Sequence, residues 1–442
     1  MHAYPANLAR LVRTQWNQPV EAESMIVLPT YEEADDLPRP RALHEVLSTC
    51  YQASLLSDES RPVRFRLILR EPERFEAFTG GAGSLHALPF ERYLALAPTQ
   101  LRRLAPAAPL EQALIGARVS PEGELQIWGL VHSGEHWLQT VEGSRRPLNP
   151  LPPSLVVSVA APGHLAVAKG SLTVVRLLGG RLATPAPGVL EFAEMRPSEG
   201  VVDAIVLAFE RERQEAGNQW AKINHTVFEQ LRRQVALRIV SAMRRLGHGG
   251  TMLWLSANIA SQPERYAPAL NIKYAFRQGE SRRRLGRFGL DLFRALARDC
   301  GERFGPEHSV TWRDFLASTD PAVIHADEAI NELARQIASL SAVDGAVVIA
   351  QPMDLLGFGA EISGQLPPVE FVARALDSRF KRTEMESTLN VGTRHRSAYR
   401  FCNAFPGASA LVVSQDGSVQ VVARRGDTVV CSEHLSSGAL NV

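Results

Sequence analysis

Gly392-Thr393-Arg394-His395-Arg396 sets three basic side chains directly after a Gly-Thr step, and the residues beyond, Ala398, Phe401, Cys402 and Phe405, recur at helical spacing. The spacing predicts a helix with Thr393 near its N-cap. Unsatisfied backbone amides and the positive end of the helix dipole then lie beside Arg394, His395 and Arg396. A phosphate suits that place, because charge-assisted donors converge on it. Earlier in the chain, Asp344-Gly345-Ala346 stands at the entrance of a short apolar run that ends at Ala350. A carboxylate there suits a divalent cation, and the small Gly345 and Ala346 let a base or ribose approach the backbone closely. Taken alone, Asp344-Gly345 is also an ordinary turn, and Arg394 to Arg396 a solvated one.

The elements that must position these residues are legible on both sides. Thr319-Asp320-Pro321 is a helix start, with Asp320 as cap and Pro321 in the first turn, and Ile330, Leu333, Ile337 and Leu340 supply the apolar face that leads to Asp344. Residues 346–350 read as a strand and 355–362 as its hairpin partner. After the basic helix, 410–413 and 419–422 read as a second hairpin with Ser414 and Asp416 at its tip, and 428–431 can add a strand. Upstream, Phe228, Leu231, Val235, Ile239, Met243 and Leu246 form a helical stripe that stops at Gly247, and 251–255 follow as a buried strand. Residues 199–208 fit a strand or a helix.

The N-terminal half carries less chemistry. Residues 1–40 read as a polar lead-in, 41–56 as a helix and 61–70 as a strand. Short β-like runs between 113 and 177, separated by Gly, Pro and Ser-Gly breakers, predict a small β-rich domain. Gly80, Gly81 and Gly83 lack the spacing of a phosphate loop and read as a plain loop. Trp128, His132, His136, Trp137 and Lys169 read as core or surface residues rather than a metal set, because histidines four apart serve a metal on a helix and not across a turn.

The 442 residues predict more than one domain, and 45% hydrophobic with 21% charged residues are ordinary globular values. A net charge of +1 argues against a broad surface for duplex DNA or anionic lipid. Arg282, Arg283, Arg284 and Arg287 therefore read as the solvated face of an amphipathic helix, with a nucleic-acid surface as the alternative. The four cysteines, Cys50, Cys300, Cys402 and Cys431, have neither zinc nor disulfide spacing, which fits a reducing cytoplasm. The most apolar run, 155–168, is interrupted by Ser158, Pro162, Gly163 and His164, so no membrane span is expected.

The ordered motifs, Asp344-Gly345-Ala346, then Gly392 to Arg396, then a Ser-plus-acid hairpin, resemble the diadenylate cyclase domain. The match covers residues 341–433 and reaches back to the helix at His225 and the strand at 248–254, with 257–318 as an insertion. The resemblance implies an α/β (α+β) fold, a mixed sheet flanked by helices over 220–435, preceded by a smaller αβ and β-rich region over 1–200 that looks like a sensor domain of unknown ligand. It implies condensation of two ATP into cyclic di-AMP with Mg2+ or Mn2+, in a homodimer of facing domains. Asp344, Arg394 and His395 would be catalytic. Gly345, Ala346, Gly392, Thr393, Arg394, His395, Arg396 and Ser414 would bind ATP, and Asp344 and Asp416 would hold the metal. One departure stands out: Ser414-Gln415-Asp416-Gly417 is one residue shorter than the Ser-Glu-Glu motif of that family, which leaves a nucleotide-binding sensor of the same fold, without turnover, as the other reading.

Overall fold

The computed structural model describes residues 2–17, 35–78, 85–110, 112–132, 151–170, 172–183, 199–277, 279–350, 354–376, 382–415 and 418–434. Gly80, Gly81, Gly83, His136, Trp137, Asp416 and Gly417 lie outside them. The fold is mixed α+β, in two compact units, one built from elements up to Ala183 and the other from Glu199 to His434.

The first unit is organised on an eight-stranded sheet among the described residues, in the order Arg181–Ala183, Leu172–Leu178, His164–Lys169, Leu155–Ala161, Phe65–Leu69, Ala113–Val119, Leu125–His132 and His86–Ala95. The strand at 65–69 and the β-rich section belong to one sheet, joined where Phe65–Leu69 pairs with Leu155–Ala161. The lead-in is also more than a lead-in. Pro5–Gln15 is a helix, and Leu8, Val12 and Trp16, four residues apart, bury against the same face as helix Pro40–Ser54. On the other face, Trp128 is fully buried and donates from Nε1 to the Arg70 carbonyl at 2.8 Å. Arg70 in turn bonds Asp35 and Ser154, both at 3.2 Å.

The second unit is organised on a nine-stranded mixed sheet among the described residues. Its order is Leu270–Ala275, Asp354–Ile362, Ala346–Ala350, Gly250–Leu255, Ala408–Val413, Val419–Arg425, Thr428–His434, Phe371–Ala375 and Thr383–Ser387. Residues 257–318 supply one edge strand of this sheet and the helix Glu280–Phe304, whose Leu292, Phe293 and Leu296 are buried. Arg283, Arg284 and Arg287 on that helix are exposed, as a solvated basic face requires. The ambiguous stretch at 199 is the start of helix Glu199–Glu215.

Helices His225–Arg245 and Pro321–Ser339 cover one face of the sheet, packing Val235, Ile239, Ile330 and Ile337 on Met252, Trp254, Val347 and Ile349. Asp320 caps the second helix as expected, accepting from the amides of Ala322 and Val323. Between the two helices lies a buried ion pair, Arg238 Nη2 to Asp327 Oδ1 at 2.6 Å, with Arg238 Nη1 also on the Asp327 carbonyl. Removing one member of such a pair leaves a charge in an apolar setting. Asp327→Ala is therefore expected to cost the second unit about 3 kcal/mol in chemical denaturation. Glu332→Ala on the exposed face of the same helix, paired loosely with Arg335 at 3.9 Å, should cost less than about 0.5 kcal/mol.

Candidate functional site

Strand Gly250–Leu255 runs parallel to Ala346–Ala350, with Thr251 opposite Ala346, and antiparallel to Ala408–Val413, with Gly250 opposite Val413. That register has one consequence for the motifs. The entrance of the Asp344 strand, the residues just before Gly250 and the residues just after Val413 all fall at the same end of the sheet. Asp344, Gly249 and Ser414 therefore lie just outside the ends of three adjacent strands, within about 10 Å across the sheet.

The basic helix joins them from one face. Thr393–Ala404 buries Ala398, Tyr399, Phe401 and Cys402 on Leu253, Val348, Ala410 and Val412, and its first turn reaches the same sheet end. Arg394 Nη1 donates to the His248 carbonyl at 3.3 Å. Gly249 has φ +65°, and a β-carbon there would lie 2.8 Å from that Nη1 and 2.7 Å from the Val413 carbonyl oxygen. Gly249 thus admits Arg394 and the end of the hairpin strand together. His248 and Gly249 were not among the predicted site residues; the run Gly247-His248-Gly249-Gly250 carries the signal, since three glycines in four residues mark a backbone that others approach closely.

The first turn of this helix holds no acidic residue, and its N-cap, Gly392, offers no side-chain acceptor. Thr393, Arg394 and Arg396 are exposed and His395 is half-buried. Below them the helix is fixed: Tyr399 donates from its hydroxyl to Gln420 Oε1 at 2.7 Å, and burial raises its phenol above the usual tyrosine range.

On the other side, Asp344 is exposed, and its Oδ1 accepts from the Gly345 amide at 3.1 Å. Gly345 has φ +111°, and the place of its missing side chain is filled by the backbone of Gly359 and Ala360, 2.5 and 2.8 Å away. Its smallness serves the close approach of the neighbouring strand. Ala346 is buried in the core beneath the basic helix. Lys273 pairs with Glu361 at 2.6 Å, and this partner first, with Asp344 contributing less, holds its ammonium above the usual lysine range. Beside Gly359, Tyr274 and Phe276 are 53% and 41% exposed and stack on Phe358, with ring centroids 4.8 and 5.6 Å away. They make an aromatic ledge next to the entrance of the Asp344 strand.

Ser414 is half-buried and its amide closes the hairpin on the Ser418 carbonyl at 2.8 Å; its motif partner Asp416 is outside the described residues. Among the described residues, no group of three or more His, Cys, Asp or Glu side chains is placed to hold a metal ion, and no helix is long and apolar enough to cross a membrane.

Residues 32–132 match the family model of the probable sensor domain DACNV. The match runs from ahead of helix Pro40–Ser54 to the end of strand Leu125–His132, so the N-terminal region holds a sensor-type domain, and the strands from Leu155 onward lie beyond the match. No curated protein matches the chain.

Gly249→Ala is expected to push Arg394 off the His248 carbonyl and to lower the stability of the second unit by about 1–3 kcal/mol in denaturant titrations. Gly364→Ala, where an added β-carbon meets nothing within 4 Å, should leave it within about 0.5 kcal/mol.

Proposed function

We propose that the second unit is a diadenylate cyclase, a metal-dependent nucleotidyltransferase that condenses two ATP into cyclic di-AMP with release of pyrophosphate. The first unit, with its sensor-type domain, would regulate the encounter of two such units. The observation that carries this reading is the meeting of Asp344, the Thr393–Arg396 turn and Ser414 at one end of one sheet.

In each half-reaction the ribose 3′-oxygen of one ATP bonds to the α-phosphorus of the other, and the bond from that phosphorus to the bridging oxygen of the β-phosphate breaks. Pyrophosphate leaves, and the hydroxyl proton passes to the Asp344 carboxylate or to water. Thr393, Arg394, His395 and Arg396, with the amides of the first turn, hold the triphosphate and stabilise the charge that develops on the departing pyrophosphate. Gly392 leaves the cap open to a phosphate. The backbone of Gly345 and Ala346 borders the nucleoside, Tyr274 offers a face on which adenine stacks, and Ser414 closes the opposite side.

An exposed carboxylate beside a triphosphate site fits Mg2+ or Mn2+, which such sites hold by one or two carboxylates together with substrate phosphates. Asp344 would hold the ion, with Asp416 as the second carboxylate, and the ion would supply neutralisation of phosphate charge. Each unit has one such site, while two 3′-hydroxyls must each meet the other's α-phosphate. Turnover therefore calls for a homodimer of facing units.

A nucleotide-binding sensor of the same fold is the second reading, favoured by Gln415 standing where the resembled family carries a glutamate. The full-length chain incubated with ATP and Mg2+ or Mn2+ decides between them by mass analysis of products. Cyclic di-AMP and pyrophosphate are expected, with a loss of at least about 100-fold in Asp344→Asn and in Arg394→Ala. ATP binding with no cyclic product under either metal selects the sensor. Tyr274→Ala should raise KM about tenfold and change kcat much less, as loss of base stacking does.

A further inference from the structure

The second unit opens, among the described residues, with helix Glu199–Glu215, so this is where the chain arrives from the first unit. The nucleotide reading gives that helix no task. It is nevertheless fastened at several points, and mostly to one neighbour, the long helix Glu280–Phe304. Glu212 accepts from Nε and Nη2 of Arg294 at 2.9–3.0 Å, a bidentate pair between the two helices, and Asp291 accepts from Arg294 Nη1 at 2.8 Å. Phe209 is fully buried and stacks on Trp220, with ring centroids 6.5 Å apart. Arg213 donates to the Trp220 carbonyl at 2.9 Å, and the next residue, Ala221, donates its amide to the Ala297 carbonyl of the long helix at 2.9 Å.

The other end of Glu280–Phe304 is tied to the sheet next to the candidate site. Its N-cap, Gly279, donates its amide to both carboxylate oxygens of the buried Asp354, at 3.1 Å each, and the Phe276 amide donates to the Leu356 carbonyl at 2.8 Å. Only residues 276–279 separate this helix from strand Leu270–Ala275, which carries Lys273 and Tyr274 and pairs with Asp354–Ile362, the neighbour of the Asp344 strand. Between its two ends the helix buries Leu292, Phe293 and Leu296, and Phe293 packs on Phe228 with ring centroids 4.2 Å apart. A close-packed helix of this kind shifts as a rod instead of deforming. Strand Leu270–Ala275 has a neighbour on one side only and mostly exposed residues, so it is the part of the sheet that moves at least cost.

We propose that helix Glu199–Glu215 is the input of the second unit: its seat on Glu280–Phe304 sets the position of edge strand Leu270–Ala275, and with it the aromatic ledge of Tyr274 and Phe276. A change in the first unit that draws on the entering chain thereby reaches the nucleotide. That a base stacks on Tyr274 rests on the proposed function; the link between the two helices and the strand does not.

The test is amide hydrogen exchange on the full-length chain without nucleotide. In the Phe209→Leu, Glu212→Ala double variant, exchange over 270–277 should rise about tenfold together with that over 199–215, while 346–350 and 408–413 keep the wild-type rates. Arg294→Met, which keeps the arm and removes the bidentate pair, should give the same pattern at about threefold and decides the matter if the double variant fails to fold. Exchange that rises over 199–215 and not over 270–277, that rises equally in the central strands, or that stays unchanged throughout overturns the proposal. In the wild type, ATP with Mg2+ should slow exchange over 199–215 as well as over 270–277, because coupling is reciprocal. Slowing at 270–277 alone also overturns the link, whereas no slowing at either stretch contradicts the nucleotide reading and not the link.

Discussion

A helix that begins with Thr-Arg-His-Arg works against its own dipole. Cations in a first turn are disfavoured by roughly 0.3–1 kcal/mol each, and Gly392 supplies no capping oxygen to compensate. The helix forms because its other end is anchored. Tyr399 and Phe401 are 2% and 0% exposed, and burying aromatic side chains of that size contributes about 2–3 kcal/mol apiece. Packing therefore outweighs the electrostatic cost, and a patch of positive charge without a capping side chain is held at a fixed place on the sheet. Everything proposed for the second unit depends on that imbalance, since an anion placed there removes the cost that the apo helix carries.

The sheet turns this local feature into a site. Because Gly250–Leu255 is parallel to one neighbour and antiparallel to the other, the beginning of one motif strand and the end of another fall together. Arg394 then ties the helix to the backbone just before the central strand, across 146 positions of sequence. Glycines permit the crowding: Gly249 where Arg394 and the hairpin converge, and Gly345 where two strands nearly touch.

Much of this was legible in the sequence, and the omissions have physical causes. The Asp320 cap, the Ile330–Ile337 face and the hairpins are local patterns, written in residues a few positions apart, and they stand in the structure as predicted. Strand Leu270–Ala275 was hidden inside a presumed insertion because it is an edge strand with mostly exposed residues, so its apolar alternation is weak. The N-terminal helix was hidden by its short length and polar company, although Leu8, Val12 and Trp16 already carried its period. His248 and Gly249 were read as the start of a strand and not as site residues, because their importance comes from what approaches them, and pairing distant in sequence is not written in local spacing.

The central claim is that the basic turn at Thr393 is held for a triphosphate, and it is tested most directly by comparing ATP with adenosine as stabilisers of the full-length chain. ATP with Mg2+ should raise the melting temperature of the second unit saturably and adenosine should barely move it, with the ATP response lost in the Arg394→Ala, Arg396→Ala double variant. Equal responses to ATP and adenosine, or an ATP response that survives the double variant, would contradict the account.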